Sequence, residues 1–178
     1  MEITIRQEIQ NDFEPVSALI KNAFERELMS NHQEHVLVAR LRESTAFVPE
    51  LSLVAQVDNR LVGYILLAKI NIISAHGDSF PSLALAPVAV LPQFQGKGIG
   101  ARLIETAHHK ARGLGFGSVI VLGHAAYYPK FGYRPSSEYG IRLPFDVPDE
   151  NSMAIALTEN ALANVSGIVQ YPEAFGIG

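Results

Sequence analysis

The chain has 178 residues, 48% of them hydrophobic and 18% charged, with a net charge of −4 and no cysteine. That size and balance belong to a globular protein of about one domain, and the missing cysteines exclude disulfide scaffolds, thiolate metal sites and cysteine nucleophiles. The acidic balance argues against a broad surface for nucleic acid or anionic membrane, so any bound anion must be gripped locally.

The start, MEITIRQEIQNDF, has no apolar signal core, and no apolar stretch is long enough to span a bilayer. A soluble cytoplasmic protein is the expectation. ITIR (3–6) alternates and reads as a strand. Asp12 is placed to N-cap a helix over 13–24, with Pro15 tolerated in the first turn and Leu19, Ile20, Ala23 and Phe24 forming an apolar face. A second helix is expected over 32–43. LSLVAQV (51–57) and LVGYILLA (61–68) flank Asp58-Asn59-Arg60 as a hairpin.

SLALAPVAV (82–90) reads as a strand running into the glycine turn QGKGIG, and a helix over 99–112 follows, with Gly113 and Gly115 as stop signals. SVIVLG (118–123) suits a buried strand that can be parallel. A short helical turn is expected around Tyr127–Phe131, then strands near 139–145, 153–157 and 165–171. No repeat, low-complexity tract or linker interrupts the chain, so one mixed α/β domain is expected over 1–178.

The glycine turn carries the strongest chemical signal. The first amides of a helix lack intrahelical partners, and the macrodipole adds about half a positive charge there. Gly96, Gly98 and Gly100 let an anion approach the backbone closely, with Lys97 at the edge, so phosphate is the natural guest. The bland alternative is a loop that only allows tight strand–helix packing. The spacing is not that of a nucleoside-triphosphate loop. Nor is it G-x-G-x-x-G, and the following strand lacks the acidic residue a dinucleotide fold carries. Pro87, which cannot donate to a ladder, marks an edge or a bulge in the strand before the turn.

VAVLPQFQGKGIGARLIETA resembles the coenzyme signature of the GNAT family of N-acetyltransferases, with Gln95, Gly98 and Gly100 in the defined positions of Q/R-x-x-G-x-G/A. VLGHAAYYPKFGYRP is similar to the family's second signature, Tyr128, Gly132 and Tyr133 filling Y-x-x-x-G-F/Y. The two occur in the right order, and the likeness spans nearly the whole chain, whose tail is similar to a bacterial subgroup of uncharacterised members. The resemblance implies a mixed, mostly antiparallel sheet flanked by helices and splayed between its fourth and fifth strands at a bulge near Pro87. It further implies an acetyl-CoA-dependent enzyme that acetylates a primary amine, of a small molecule or a peptide, by direct attack in a ternary complex.

Carried over by position, the cofactor pyrophosphate is expected on Gln95, Gly96, Lys97, Gly98, Ile99 and Gly100, with Ala101 and Arg102 next along the helix. The pantetheine arm is expected beside Val88, Ala89 and Val90. Tyr128 is the expected donor to the departing thiolate. Many members use a glutamate on the strand before the glycine turn as base, and SLALAPVAV has no carboxylate. His124, with an intrinsic pKa suited to the task, is the candidate catalytic base, and Glu34, His32 and His35 are candidates to face the acceptor. The acceptor pocket is expected between segments 25–32 and 142–152. No metal site is expected, since the paired histidines lack a third ligand. Many members are dimers, which leaves a homodimer open. The missing glutamate also leaves open a non-catalytic module of the same fold that binds acyl-CoA as a sensor.

Overall fold

The computed structural model describes residues 1–177; Gly178, the last residue of the expected domain, lies outside the described residues. In chain order the elements are β1 (Thr4–Gln7), α1 (Phe13–Phe24), α2 (Glu34–Arg42), β2 (Ser52–Val57), β3 (Arg60–Ile73) and β4 (Ser79–Val90). They continue with α3 (Ile99–Gly113), β5 (Ser118–Leu122), β6 (Arg134–Pro135), β7 (Ile141–Arg142), β8 (Ser152–Ala156) and β9 (Gly167–Gln170). The strands join one sheet in the order β1-β2-β3-β4-β5-β8-β6. β9 takes over the edge of β3 at Asn71–Ile73, beyond the last β2 pair at Leu66, and carries β7. β4–β5 and β7–β9 are parallel and the other pairs antiparallel, the mixed sheet expected from the family signatures.

The helices form where apolar residues recur at helical spacing. α1 buries Val16, Leu19 and Ile20 against β3 and β4. α3 buries Ile99, Leu103, Ile104, Ala107, His108 and Ala111 against β2, β3 and β4. The hairpin loop is tighter than expected. Only Asp58 and Asn59 turn the chain, with φ of 50° and 62°, and Arg60 already pairs with Val57. Two successive left-handed residues are the turn whose twist matches flanking strands, and Asp and Asn tolerate it.

Several expectations are corrected. β3 and β4 extend well past the anticipated ends, pairing Lys69–Ile73 with Ser79–Leu83. In the tail only Ile141–Arg142 of 139–145 is a strand, and β6, at Arg134–Pro135, was not anticipated. The second helix is Glu34–Arg42 rather than 32–43.

Asp12 does not cap α1: its own backbone is already helical and its carboxylate is engaged elsewhere. Arg6 donates to both its oxygens, at 2.7 and 3.0 Å, and the Ile9 N–H donates at 2.8 Å. Those bonds, the Arg6 one foremost, hold the Asp12 carboxyl below the usual carboxylate range.

One buried polar network ties α2 to the sheet. Glu8, just past β1, pairs with Arg42 of α2 and accepts from Ser52 Oγ at 2.8 Å. Ser52 spends its single proton on Glu8, so the Tyr64 hydroxyl, 2.7 Å from Ser52 Oγ, is the donor in that bond. Breaking a buried ion pair on one side strands the other charge. Glu8→Ala is therefore expected to lower the free energy of unfolding by about 3–5 kcal/mol, read as the urea-denaturation midpoint. The Arg6–Asp12 pair, whose Arg6 side chain is partly exposed, should cost distinctly less when cut.

Candidate functional site

The site begins where two strands part. β4 pairs with β5 only at Leu83↔Val119 and Ala84↔Ile120. On the other side of β4, Ile65 opposes Val88 and Leu67 opposes Leu85, so Leu66 alone faces both Ala86 and Pro87. This is the bulge anticipated at Pro87, and the Ala86–Pro87 peptide is cis. Past it, β4 follows β3 while β5 follows β8, and Leu122 at the end of β5 stands exposed.

The ladder tells which backbone groups enter the gap. The Leu91 N–H donates to Val62 O at 2.9 Å, which makes 62/91 a hydrogen-bonded pair. Pairs alternate in an antiparallel ladder, so Tyr64/Ala89 is bonded while Val88 and Val90 turn their N–H and C=O groups away from β3, into the gap. The Gln95 side-chain amide donates to Val90 O at 3.1 Å from that side. Of the three expected strand residues, Val88 and Val90 thus present backbone to the gap, and Ala89 bonds to Tyr64.

At the lower end of the gap, Gly96 and Gly98 adopt left-handed φ of 74° and 82°. Gly98 precedes α3, and the first intrahelical bond is Arg102 N–H to Gly98 O, at 3.1 Å. The amides of Ile99, Gly100 and Ala101 therefore have no helical partner. The Ile99 side chain is buried beneath the turn, while Lys97 and Arg102 stand exposed on its rim. An anion here meets backbone donors and a dipole end, with two cations alongside.

Tyr128 opens the 3-10 turn Tyr128–Phe131 after β5. Its ring is buried edge-on between Tyr127 and Tyr133, with centroids 5.1 and 5.5 Å away. A Cβ on Gly123 would lie 2.4 Å from its Cε2, so only glycine lets the ring lie there. Among the described residues no hydrogen bond involves the Tyr128 hydroxyl, and no buried side-chain polar atom lacks a partner. The hydroxyl therefore reaches solvent. Burial, and secondarily Tyr127, push its pKa above the ordinary phenol value, so it is a protonated donor at neutral pH.

His124 is exposed just after β5, its Nε2 3.8 Å from Glu27 Oε1 in the segment joining α1 to α2. His32, Glu34 and His35 lie together between α1 and α2. They line an open hollow of about 700 Å³ with Lys21, Asn22 and Glu25. On α1, residues 21, 22 and 25 lie on the face opposite the buried Val16, Leu19 and Ile20. That face of α1 is turned away from the sheet. Glu34 is engaged locally, accepting from Ser30 Oγ. No group of three histidine or acidic side chains fit to hold a metal occurs among the described residues.

The sequence reading missed His108. It lies on the buried face of α3, 5% exposed, with Nε2 2.8 Å from the Tyr133 hydroxyl. The helical spacing from Ile104 and Ala111 was the available signal. Burial, then Arg112, lowers its pKa from 6.5 to about 4. The unfolded chain thus binds the extra proton first as pH falls, and stability present above 6.5 is lost toward 4. Unfolding free energy should fall by up to about 3 kcal/mol across that window, and His108→Gln should flatten this slope in denaturant titrations at stepped pH.

A family model described as Acetyltransferase (GNAT) family matches residues 15–133. An uncharacterised N-acetyltransferase of Escherichia coli K12, YjhQ, is 40% identical over 120 residues, covering 67% of this chain and 66% of that protein. A second from the same strain, YhbS, is 28% identical over 172 residues, 96% of this chain and 97% of its own length. The crystal structure of E. coli YhbS in complex with CoA matches with a TM-score of 0.87 at 27% identity, covering 100% of this chain and 94% of that one. A GNAT family acetyltransferase from Brucella melitensis in complex with acetyl-CoA matches at 0.79 and 29% identity, covering 98% of both. With parted strands, a glycine turn and a tyrosine turn arranged around one gap, and a family model matching most of its length, the chain belongs to the GNAT acetyltransferase family.

Proposed function

We propose that the chain acts, as a single domain over 1–178, as an acetyl-CoA-dependent N-acetyltransferase, passing the acetyl group directly to a primary amine in a ternary complex. The observation that carries this reading is the gap itself. Strand backbone at Val88 and Val90, the unpartnered amides of α3 and the Tyr128 turn all border it. That two similar proteins were crystallised with CoA and acetyl-CoA supports the same cosubstrate. The acceptor is a small molecule or a peptide, and the cytoplasm is the expected setting.

Acetyl-CoA supplies an activated acyl group as a thioester. The amides from Gly96 to Ala101 receive its pyrophosphate, and Lys97 and Arg102 add charge at the rim. Val88 and Val90 pair with the extended pantetheine as an added strand would. Their N–H groups supply donors of the kind that stabilise charge developing on a carbonyl oxygen. The amine nitrogen forms the new bond to the acyl carbon as the carbon–sulfur bond breaks. His124 takes the amine proton, and the thiolate accepts a hydrogen bond from Tyr128. A thiol near pKa 8.5 against a phenol near 10 makes full proton transfer uphill by about 2 kcal/mol, and burial of Tyr128 steepens that. Tyr128 thus acts by donating a hydrogen bond that strengthens as charge develops.

A second reading, an acyl-CoA-binding module without turnover, is favoured by the absence of any carboxylate in SLALAPVAV. One assay separates the two. With acetyl-CoA and a panel of amines, the enzyme should release thiol, and Tyr128→Phe should lower the rate about 10²-fold. Tight coenzyme binding with no transfer to any amine selects the module. Calorimetry showing no acetyl-CoA binding at millimolar ligand overturns both.

A further inference from the structure

Among the buried titratable side chains that take no part in the proposed chemistry, His108 leads back to Tyr128. Helix α3 holds the tyrosine turn at two points. Near its N-terminus, the Tyr127 hydroxyl lies 2.7 Å from where a Cβ on Gly100 would be. Eight residues on, about 12 Å along the axis, His108 Nε2 meets the Tyr133 hydroxyl at 2.8 Å, with the two rings 5.5 Å apart. Tyr128 stands between Tyr127 and the hydrogen-bonded Tyr133 and packs edge to face on both. Edge-to-face pairs fix mutual orientation as well as area.

We infer that His108 and Tyr133 are positioning residues for Tyr128, so that the helix whose N-terminus binds the coenzyme phosphates also sets where the thiolate donor stands. This rests on the reading of Tyr128 as that donor. Neither His108 nor Tyr133 touches the gap: both are buried, and His108 acts only through the Tyr133 hydroxyl. What they govern is the direction of a phenol whose hydroxyl makes no protein hydrogen bond among the described residues. A misdirected donor slows the chemical step and leaves coenzyme binding alone.

The test is steady-state thiol release with saturating amine. Tyr133→Phe keeps the ring and removes the hydroxyl; it should lower kcat about tenfold and leave the KM for acetyl-CoA within about twofold. His108→Leu should behave likewise, and His108→Gln, whose amide reaches the same hydroxyl, should recover most of the rate. In a Tyr128→Phe background, Tyr133→Phe should cost nothing further. An unchanged kcat in Tyr133→Phe, or an equal loss in the Tyr128→Phe background, overturns the inference. Should His108→Leu not fold, Tyr133→Phe, which deletes one oxygen, answers the question alone. If the unmodified enzyme releases no thiol with any amine, the functional reading falls instead. The Tyr128 ring in a crystal of Tyr133→Phe then decides positioning: a displaced ring supports it and an unmoved ring overturns it.

Discussion

β4 is joined to β5 by two residue pairs, and the site follows from that short contact. A sheet whose neighbouring strands stay paired has no room for a ligand and no spare donors. Here one extra residue at Ala86–Pro87 carries β4 off with β3. The groups that β5 would have bonded, on Val88 and Val90, are left facing an opening. An extended ligand that completes a strand is the natural partner for such backbone, because it repeats the hydrogen bonds the sheet gave up.

The remaining parts are placed by their distance from that opening. β4 ends in the glycine turn, so the unpartnered amides of α3 fall at one end of the gap. β5 ends at Leu122, so the tyrosine turn falls at the other side of the same gap. The two sides are not independent, since α3 packs on the tyrosine turn through Gly100 and His108. The unpartnered amides and the tyrosine turn are thus tied to the same helix. The segment between α1 and α2 reaches the site separately, through Glu27 beside His124. It brings exposed Leu28 and Met29 with it.

Away from the gap the molecule is held conventionally. Apolar faces of α1 and α3 cover the sheet, and the Glu8–Arg42–Ser52–Tyr64 network pins α2 to β2, β3 and the residue that follows β1. Every member of that network has its partner, which is what makes a buried charge tolerable.

The local grammar of the chain was legible residue by residue. Gly96, Gly98 and Gly100 marked the turn that opens α3, Pro87 marked an edge or a bulge, and the spacing of Leu19, Ile20, Ala23 and Phe24 marked the apolar face of α1. These signals depend on one residue's own conformational freedom or on short helical periods, so they survive without a fold. What was misread depends on partners far along the chain. Asp12 looked like a cap because its competitor, Arg6, was invisible as a partner until β1 came alongside. His32, Glu34 and His35 come together with Lys21 and Glu25 only because α2 packs beside α1. His108 carried no sign of its bond to Tyr133, 25 residues on. The sequence by itself determined where the backbone bends, bulges and begins a helix. The tertiary structure decided which side chains meet, because long-range contacts are set by packing of whole elements and leave no local trace.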